Sequence, residues 1–350
     1  MNSGSGYDFT VAKFSAIDGT ELWRTIIDGT GSDQSSEIES ASEVIVDAGD
    51  NVLAAGGIIE SGVSTAFTVV KLDSKSGKEV WRQVVARGFA QTVVADVDGN
   101  VVAAGSTNDG GAHDAFTVMK FDGITGAKLW SQLAKSDAYG VAGALATDRR
   151  GNVVAAGLGA DAKNRSGFTV AKFDAATGTE IWRRVINGNV GGDWAVSVDV
   201  DLAGNVVAAG WLVVGFRTWD DFFIIKLSGI DGSEIWRKAI NGAANGRDQA
   251  LKVTLDSTGN VIGAGFIVNG DSDDFFVAKF EGLTGRELWR QVINGRANGP
   301  DYAQVVKVAA DGSVVAAGFL KNSPQDGDFA VVKLDGVTGK LLWQRIWRQR

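Results

Sequence analysis

Carboxylates recur at one position of this sequence where a ligand could be held. Across internal copies of a repeated phrase, the aligned residues are Glu39, Gly88, Gly140, Asp193, Asp248 and Asp301. The last three close nearly matching segments, "INGNVGGD", "INGAANGRD" and "INGRANGPD". A loop carboxylate can ligate a hard cation or accept from a sugar hydroxyl. It can equally cap its own loop by accepting backbone N–H groups. Glu39, Asp193, Asp248 and Asp301 are therefore a candidate acidic cluster on one loop face. Calcium is the one cofactor these residue types suggest; otherwise none is expected. The segment "NGDSDD" at 269–274 gathers carboxylates but lacks the full spacing of a calcium loop. The chain has no cysteine, which excludes a disulfide, a thiolate metal site and a cysteine nucleophile. Its one histidine, His113, is expected in solvent and cannot by itself assemble a zinc site. No Gly-x-Ser-x-Gly or phosphate-cradling loop stands in the required strand–helix context.

Lysines and aspartates form a second pattern. Lys13, Lys71, Lys120, Lys172, Lys226, Lys279 and Lys333 each precede a tryptophan by ten residues. Turns elsewhere in the repeat carry Asp47, Asp96, Asp148, Asp201 and Asp256, with Ala309 the exception. If the turns share one end of the structure, Lys–Asp pairs follow, with Lys120, Lys172 and Lys226 close to aspartates. An anion-binding belt is the functional alternative.

The third group is aromatic. Trp194, Trp211 and Trp219 fall within one repeat, outside the regular tryptophan series. Their segment "WLVVGFRTWDD" at 211–221 is apolar where its counterparts "STNDGGAHD" and "LGADAKNRS" are polar. Exposed aromatics anchor protein interfaces and stack on sugar rings. Asp193, Trp194, Trp211, Phe216 and Trp219 are thus the candidate partner or ligand surface. Trp211 can alternatively be a packing counterpart of Phe266 and Phe319.

The elements that position these residues follow from the repeat. Trp23, Trp81, Trp130, Trp182, Trp236, Trp289 and Trp343 each lie four residues after a glycine and fourteen after a phenylalanine. A second phrase, such as "GNVVAAG" at 204–210, alternates with the first at a period near 50 residues. Val, Ile, Phe, Thr and Trp cluster in runs of five to seven, punctuated by turns such as "DVDGN" and "DAATG". Each repeat reads as four antiparallel strands: A at 194–201, B at 205–211, C at 221–227 and D at 234–240 in one copy. Four-stranded blades repeated about an axis make an all-β propeller, with the seven regular tryptophans buried as docking residues between blades.

The segment "KFDAATGTEIW" at 172–182 resembles the tryptophan-docking motif of quinoprotein-type (PQQ-like) propellers, A-x-D-x-x-T-G-x-x-x-W. Asp174, Thr177, Gly178 and Trp182 match it, whereas Lys172 stands at the alanine position, as lysine does in every copy. Ser15 and Ser228 replace the aspartate in two copies. The A–B segments are also similar to secreted bacterial propeller repeats. The resemblance covers nearly the whole chain and implies a fold more than a function. Dehydrogenase activity is not implied, since those enzymes often carry a vicinal cysteine pair beside the cofactor.

The expected domain is a single propeller over 1–350. Residues 1–40 supply a C–D hairpin and loop of an incomplete blade, and 41–350 supply six complete blades. Seven blade positions are expected, with a six-bladed ring plus an extra hairpin as the alternative. The chain is expected to begin inside a blade and to extend naturally upstream by about 30 residues, one hairpin with its loops. The net charge of −8 repels phosphate backbones and argues against nucleic acid. No apolar run reaches the roughly 20 residues of a membrane helix. The function expected is a non-enzymatic scaffold for protein–protein interaction or assembly of a larger complex. Its resemblance to secreted propellers implies a periplasmic or extracellular place. The alternatives are a lectin-like carbohydrate-binding propeller and a hydrolase or lyase with a channel-face carboxylate site.

Overall fold

The computed structural model describes residues 8–30, 39–60, 65–108, 110–134, 138–189, 191–215, 219–323 and 327–347. Among them there is no helix; every regular element is a strand. Strands β1 (Phe9–Phe14) and β2 (Glu21–Ile27) form a two-stranded sheet. A seven-stranded sheet follows in sequence order: β3 (Ser40–Val46), β4 (Val52–Ile59), β5 (Thr65–Leu72), β6 (Glu79–Ala95), β7 (Val101–Thr107), β8 (Ala115–Phe121) and β9 (Lys128–Ala134). Next come β10 (Val141–Thr147), β11 (Val153–Ala160), β12 (Ser166–Phe173) and β13 (Glu180–Ile186) as a four-stranded sheet. The next four-stranded sheet is β14 (Trp194–Val200), β15 (Val206–Leu212), β16 (Asp221–Leu227) and β17 (Glu234–Ile240). It is followed by β18 (Gln249–Leu255), β19 (Val261–Val268), β20 (Asp273–Phe280) and β21 (Glu287–Ile293). The last sheet is β22 (Tyr302–Val308), β23 (Val314–Leu320), β24 (Asp328–Leu334) and β25 (Leu341–Trp347). These antiparallel quartets in chain order are the blades of an all-β propeller fold. The chain divides into two compact units, Met1–Ala155 with Phe173–Glu180, and Ala156–Lys172 with Ile181–Arg350.

The seven-stranded sheet departs from the expected quartets. It joins two of them through β6, which runs unbroken for 17 residues where a D–A loop was expected. Gly88 lies within β6, at the position that is acidic in four other copies, and takes φ +154°, a backbone conformation that favours glycine. Close approach also requires glycine, since a Cβ would lie 2.1 Å from the Ser106 carbonyl oxygen.

The third strands β5, β8, β12, β16 and β20 are buried along nearly their whole length because both faces are covered. Along β16, Phe222 and Ile224 join a core with Ala250, Val253 and Phe276 of the next sheet. The alternate residue Phe223 points the other way, edge-on to Phe168 at 5.2 Å. That is the period-2 geometry of a strand with two dry faces. The turns are set by aspartates. Asp201 Oδ1 accepts from the Ala203 and Asn205 amides at 3.0 and 2.8 Å, and Gly204 takes the left-handed conformation that completes the turn (φ +86°). All these turns lie at one end of their sheets, so the loops carrying the candidate site lie at the other.

Candidate functional site

The regular tryptophans and lysines form one structural device. In the second unit, Trp236 Nε1 and Lys226 Nζ both donate to the Gly282 carbonyl of the next sheet, at 3.1 and 2.9 Å. Trp182 and Lys172 likewise share Gly229 (3.3 and 2.9 Å), and Trp289 and Lys279 share Gly336 (3.3 and 2.6 Å). In the first unit, Trp81 and Lys71 share Gly123, Trp130 and Lys120 share Ala175, and Trp23 and Lys13 share Ser74. Each of these indoles lies over the motif glycine of the following repeat; a Cβ on Gly285 would meet the Trp236 ring at 2.6 Å.

The same ammonium groups pair with the turn aspartates. Lys71–Asp47, Lys226–Asp201 and Lys279–Asp256 are each 2.8 Å apart, and Lys120–Asp96 is 2.7 Å. Where the turn carries Ala309, Asp311 takes over and meets Lys333 at 2.8 Å. Burial alone would raise the Asp201 carboxyl; Lys226 and the Asn205 bonds more than offset it and hold the group below its ordinary value. Trp343 corrects the expectation of seven buried tryptophans. It is 41% exposed, because within its unit no following sheet packs over it.

The acidic cluster is also engaged in structure. Asp193 Oδ2 and Oδ1 accept from the Gly188 and Val213 amides at 2.6 and 2.8 Å. Asp248 binds Gly242 and Val268 in the same way, and Asp301 binds Gly295 and Lys321. Glu39 Oε1 accepts from Gly29 and Ile59. Each carboxylate thus ties the loop entering its sheet to the loop leaving the second strand. All four residues are buried, so these bonded oxygens do not form an open ligand-binding ring. Among the described residues no group of three or more acidic or histidine side chains is arranged to hold a metal ion. Burial pushes the Asp248 carboxyl up to about 6 against its two amide bonds, and the charges of Asp221 and Asp273 add to the rise. Burial raises Asp193 and Asp301 as well.

The aromatic candidates come together in part. Trp194 and Trp211 stand opposite each other in the β14–β15 register. Their rings lie 6.2 Å apart at 41°, half-buried, and Trp211 Nε1 donates to the Gly192 carbonyl at 2.8 Å. Trp219, at the same end of that sheet, is 68% exposed, with Val214 of the same loop also exposed. Phe216 lies outside the described residues. The neighbour of Trp219, Asp220, anchors this loop to the next sheet. Its carbonyl accepts from the Asp248 amide at 2.6 Å, and its Oδ2 accepts from Gln249 Nε2 at 2.6 Å and faces Arg247 Nε at 3.4 Å.

The Trp211 counterparts Phe266 and Phe319 belong to a second aromatic group, whose third member, Tyr302, was not singled out from the sequence. Tyr302 stacks on Phe319 at 5.4 Å, and Phe266 meets Tyr302 edge-on at 5.8 Å. These residues occupy the register positions of Trp194 and Trp211 in the next two sheets. The signal was present in the pairing of each A strand's first residue with the sixth of strand B. His113 is exposed, as expected.

The sequence model of the family described as outer membrane protein assembly factor BamB matches residues 7–166 and 166–350. No curated protein matches the sequence significantly. Among solved structures, BamB from Moraxella catarrhalis is similar at TM-score 0.52 and 16% identity, covering 87% of this chain and 75% of that one. A europium-containing methanol dehydrogenase is similar at TM-score 0.58 and 13% identity, covering 96% and 74%. Chaetomium thermophilum Sqt1, bound to the N-terminus of the ribosomal protein L10, is similar at TM-score 0.52 and 10% identity, covering 97% and 77%. At these identities the likeness is one of fold, and it spans both assembly factors and dehydrogenases.

Proposed function

We propose that this chain, which belongs to the family of outer membrane protein assembly factor BamB, is a non-catalytic scaffold working outside the cytoplasm. It holds a protein partner on the loop face of its second unit. The family supports a role in protein interaction or assembly in general; the finer reading rests on the aromatic patch. The carrying observation is Trp219, 68% exposed on a loop fixed by Asp220 to the next sheet. A large exposed aromatic beside a residue bonded to the next sheet offers the kind of apolar area that anchors interfaces. The half-buried Trp194–Trp211 pair widens the patch, and Asp220 with Arg247 gives it a polar rim. The reading is non-catalytic because the carboxylates at this end of the sheets, Asp193 and Asp248, are buried and bonded to loop amides. Secretion is tested separately by cell fractionation.

The test compares wild type with Trp219→Ser in quantitative pull-downs from extracts of the native host, alongside a glycan array. The expected result is an unchanged melting temperature with at least tenfold loss of one or more captured proteins, and no glycan binding. Equal capture by both proteins, or a variant that melts several degrees lower, refutes the patch as an interface. Glycan binding lost with Trp219 points to the lectin alternative.

A further inference from the structure

Charge is balanced at one end of the sheets of the second unit and unbalanced at the other. At the turns leaving β14 and β18, Asp201 pairs with Lys226 and Asp256 with Lys279, both at 2.8 Å. At the loop end of the same two sheets the carboxylates have no such partners. Asp193, Asp221 and Asp248 are buried there, and among the described residues no cation pairs with any of them. Arg247 is the cation at hand: it faces Asp220 at 3.4 Å, and its charge acts on Asp273 as well.

These groups are held close together. The Asp248 amide donates to the Asp220 carbonyl at 2.6 Å. Burial, and after it the charges of Asp221 and Asp273, push the Asp248 carboxyl up to about 6 against its amide bonds, which is what like charges gathered without a counterion do to one another. Asp221 carries a second sign of an unmet partner. It is 4% exposed, its Oδ2 accepts from the Val214 amide at 3.2 Å, and its Oδ1 has no donor. A buried acceptor without a donor is rare in a folded protein. Two residues before it in the chain, Trp219 stands exposed, and across the sheet boundary Asp271 is exposed and Asp273 half-buried. An uncovered indole beside carboxylates suits a guanidinium, which lies flat on the ring while its N–H fork meets the carboxylate.

We propose that the partner held at the Trp219 patch presents a basic segment, whose arginine lies over the Trp219 ring and is met by the negative charge of Asp220, Asp221 and Asp273. This rests on the reading of the patch as a protein interface and adds the chemistry of the partner. Lysine serves less well, because an ammonium neither stacks nor forks. An acidic segment is repelled. The field of the loop end also acts before contact and steers a basic partner to this end rather than to the paired turn end.

The experiment uses the full chain and labelled peptides of Arg-Leu-Gly repeats, with Lys or Glu in place of Arg for comparison, read by fluorescence anisotropy. Saturable binding of one arginine peptide per chain is expected, several-fold weaker for the lysine peptide and absent for the glutamate peptide. Trp219→Ser weakens it about tenfold, and so, separately, does Asp271→Asn/Asp273→Asn. Arg247→Gln removes the competing cation and tightens it several-fold. Asp50→Asn/Asp98→Asn, the same change of charge on exposed turns of the first unit, alters it by less than about twofold. Two results overturn the proposal: no saturable binding of the arginine peptide, or equal weakening by the two aspartate double variants. The interface itself is judged apart from its chemistry. A host protein whose capture needs Trp219 but survives Asp271→Asn/Asp273→Asn keeps the interface and refutes the basic partner. If Trp219→Ser fails to fold, the aspartate variants and Arg247→Gln still decide the question.

Discussion

Replacing Lys226 by methionine is the most direct test of the device that joins one sheet to the next. The ammonium makes two bonds, to Asp201 at 2.8 Å and to the Gly282 carbonyl at 2.9 Å. Gly282 is not orphaned by the change, because Trp236 Nε1 still donates to it at 3.1 Å. Asp201 keeps its amide bonds from Ala203 and Asn205 but loses its countercharge in a site where both side chains are buried. Removing one member of a buried pair costs about 3–5 kcal/mol, most of it the stranded charge. The pH dependence identifies that charge. In the wild type the Asp201 carboxyl lies below its ordinary value of 3.8. Its contribution is therefore present above 3.8 and lost as pH falls through the lower folded value. In Lys226→Met burial is opposed only by the remaining bonds, chiefly those of Asn205, so the folded value rises relative to wild type and the variant gains relative stability on acidification. Urea unfolding at pH 7 and pH 4 reads the difference. We expect a gap of about 3–5 kcal/mol at pH 7 that shrinks by half or more at pH 4, and a Lys226→Met/Asp201→Asn double variant more stable than Lys226→Met at pH 7. A gap under about 1 kcal/mol, or one independent of pH, would falsify the buried-pair account.

Three further outcomes follow from the same geometry. Trp182→Ala should cost about 3–5 kcal/mol in chemical denaturation, and Trp343→Ala, on an exposed ring, about 1 kcal/mol or less; equal losses would contradict the docking role. Gly232→Ala should cost about 2–3 kcal/mol, since its Cβ would lie 2.7 Å from the Trp182 ring at φ +68°. Gly204→Ala, at φ +86° with open space around it, should cost only about 1 kcal/mol; matching values would remove close packing as the cause. Asp248, raised to about 6 when folded against 3.8 ordinarily, contributes fully below 3.8 and loses that contribution as pH rises through 6. The stability gap between wild type and Asp248→Asn should therefore narrow from pH 4 to pH 7, and a constant gap in urea melts would remove Asp248 as the titrating group.

The strands were legible because both the period-2 pattern and the turn chemistry are written locally. The expected strands 194–201, 205–211, 221–227 and 234–240 fall within a residue of β14 to β17. Paired lysines and aspartates were legible from spacing alone, although the carbonyl each lysine also reaches was not, because it belongs to another repeat. Asp311 escaped notice because it lies two residues beyond the aligned position, yet its side chain reaches Lys333. The acidic loop residues illustrate a different limit. Sequence marks a carboxylate at each loop, but whether it faces solvent or its own amides depends on how two loops meet. Trp194 and Trp211 were placed in one surface, but their direct ring contact follows from a cross-strand register that a list of exposed-looking residues does not contain.

The lysine at the family's alanine position can be understood from the carbonyl it serves. A buried carbonyl oxygen has two lone pairs, and a tryptophan N–H fills one. The ammonium fills the other, but it brings a charge that the interface between two sheets cannot hold unpaired. The turn aspartate of the same sheet neutralises it. Lysine, tryptophan and aspartate therefore act as one set: the ion pair lies within a sheet and the two N–H bonds cross to the next. The first and last copies separate these halves. Lys333 meets Asp311 although Trp343 is uncovered within its unit, so the ion pair forms without a docking carbonyl. Lys13 reaches the Ser74 carbonyl with no carboxylate beside it among the described residues, so the crossing bond forms without the ion pair. Each sheet can thus carry its charged pair preassembled to the edge where the next sheet docks, and the direction of docking is set by which side supplies the carbonyl.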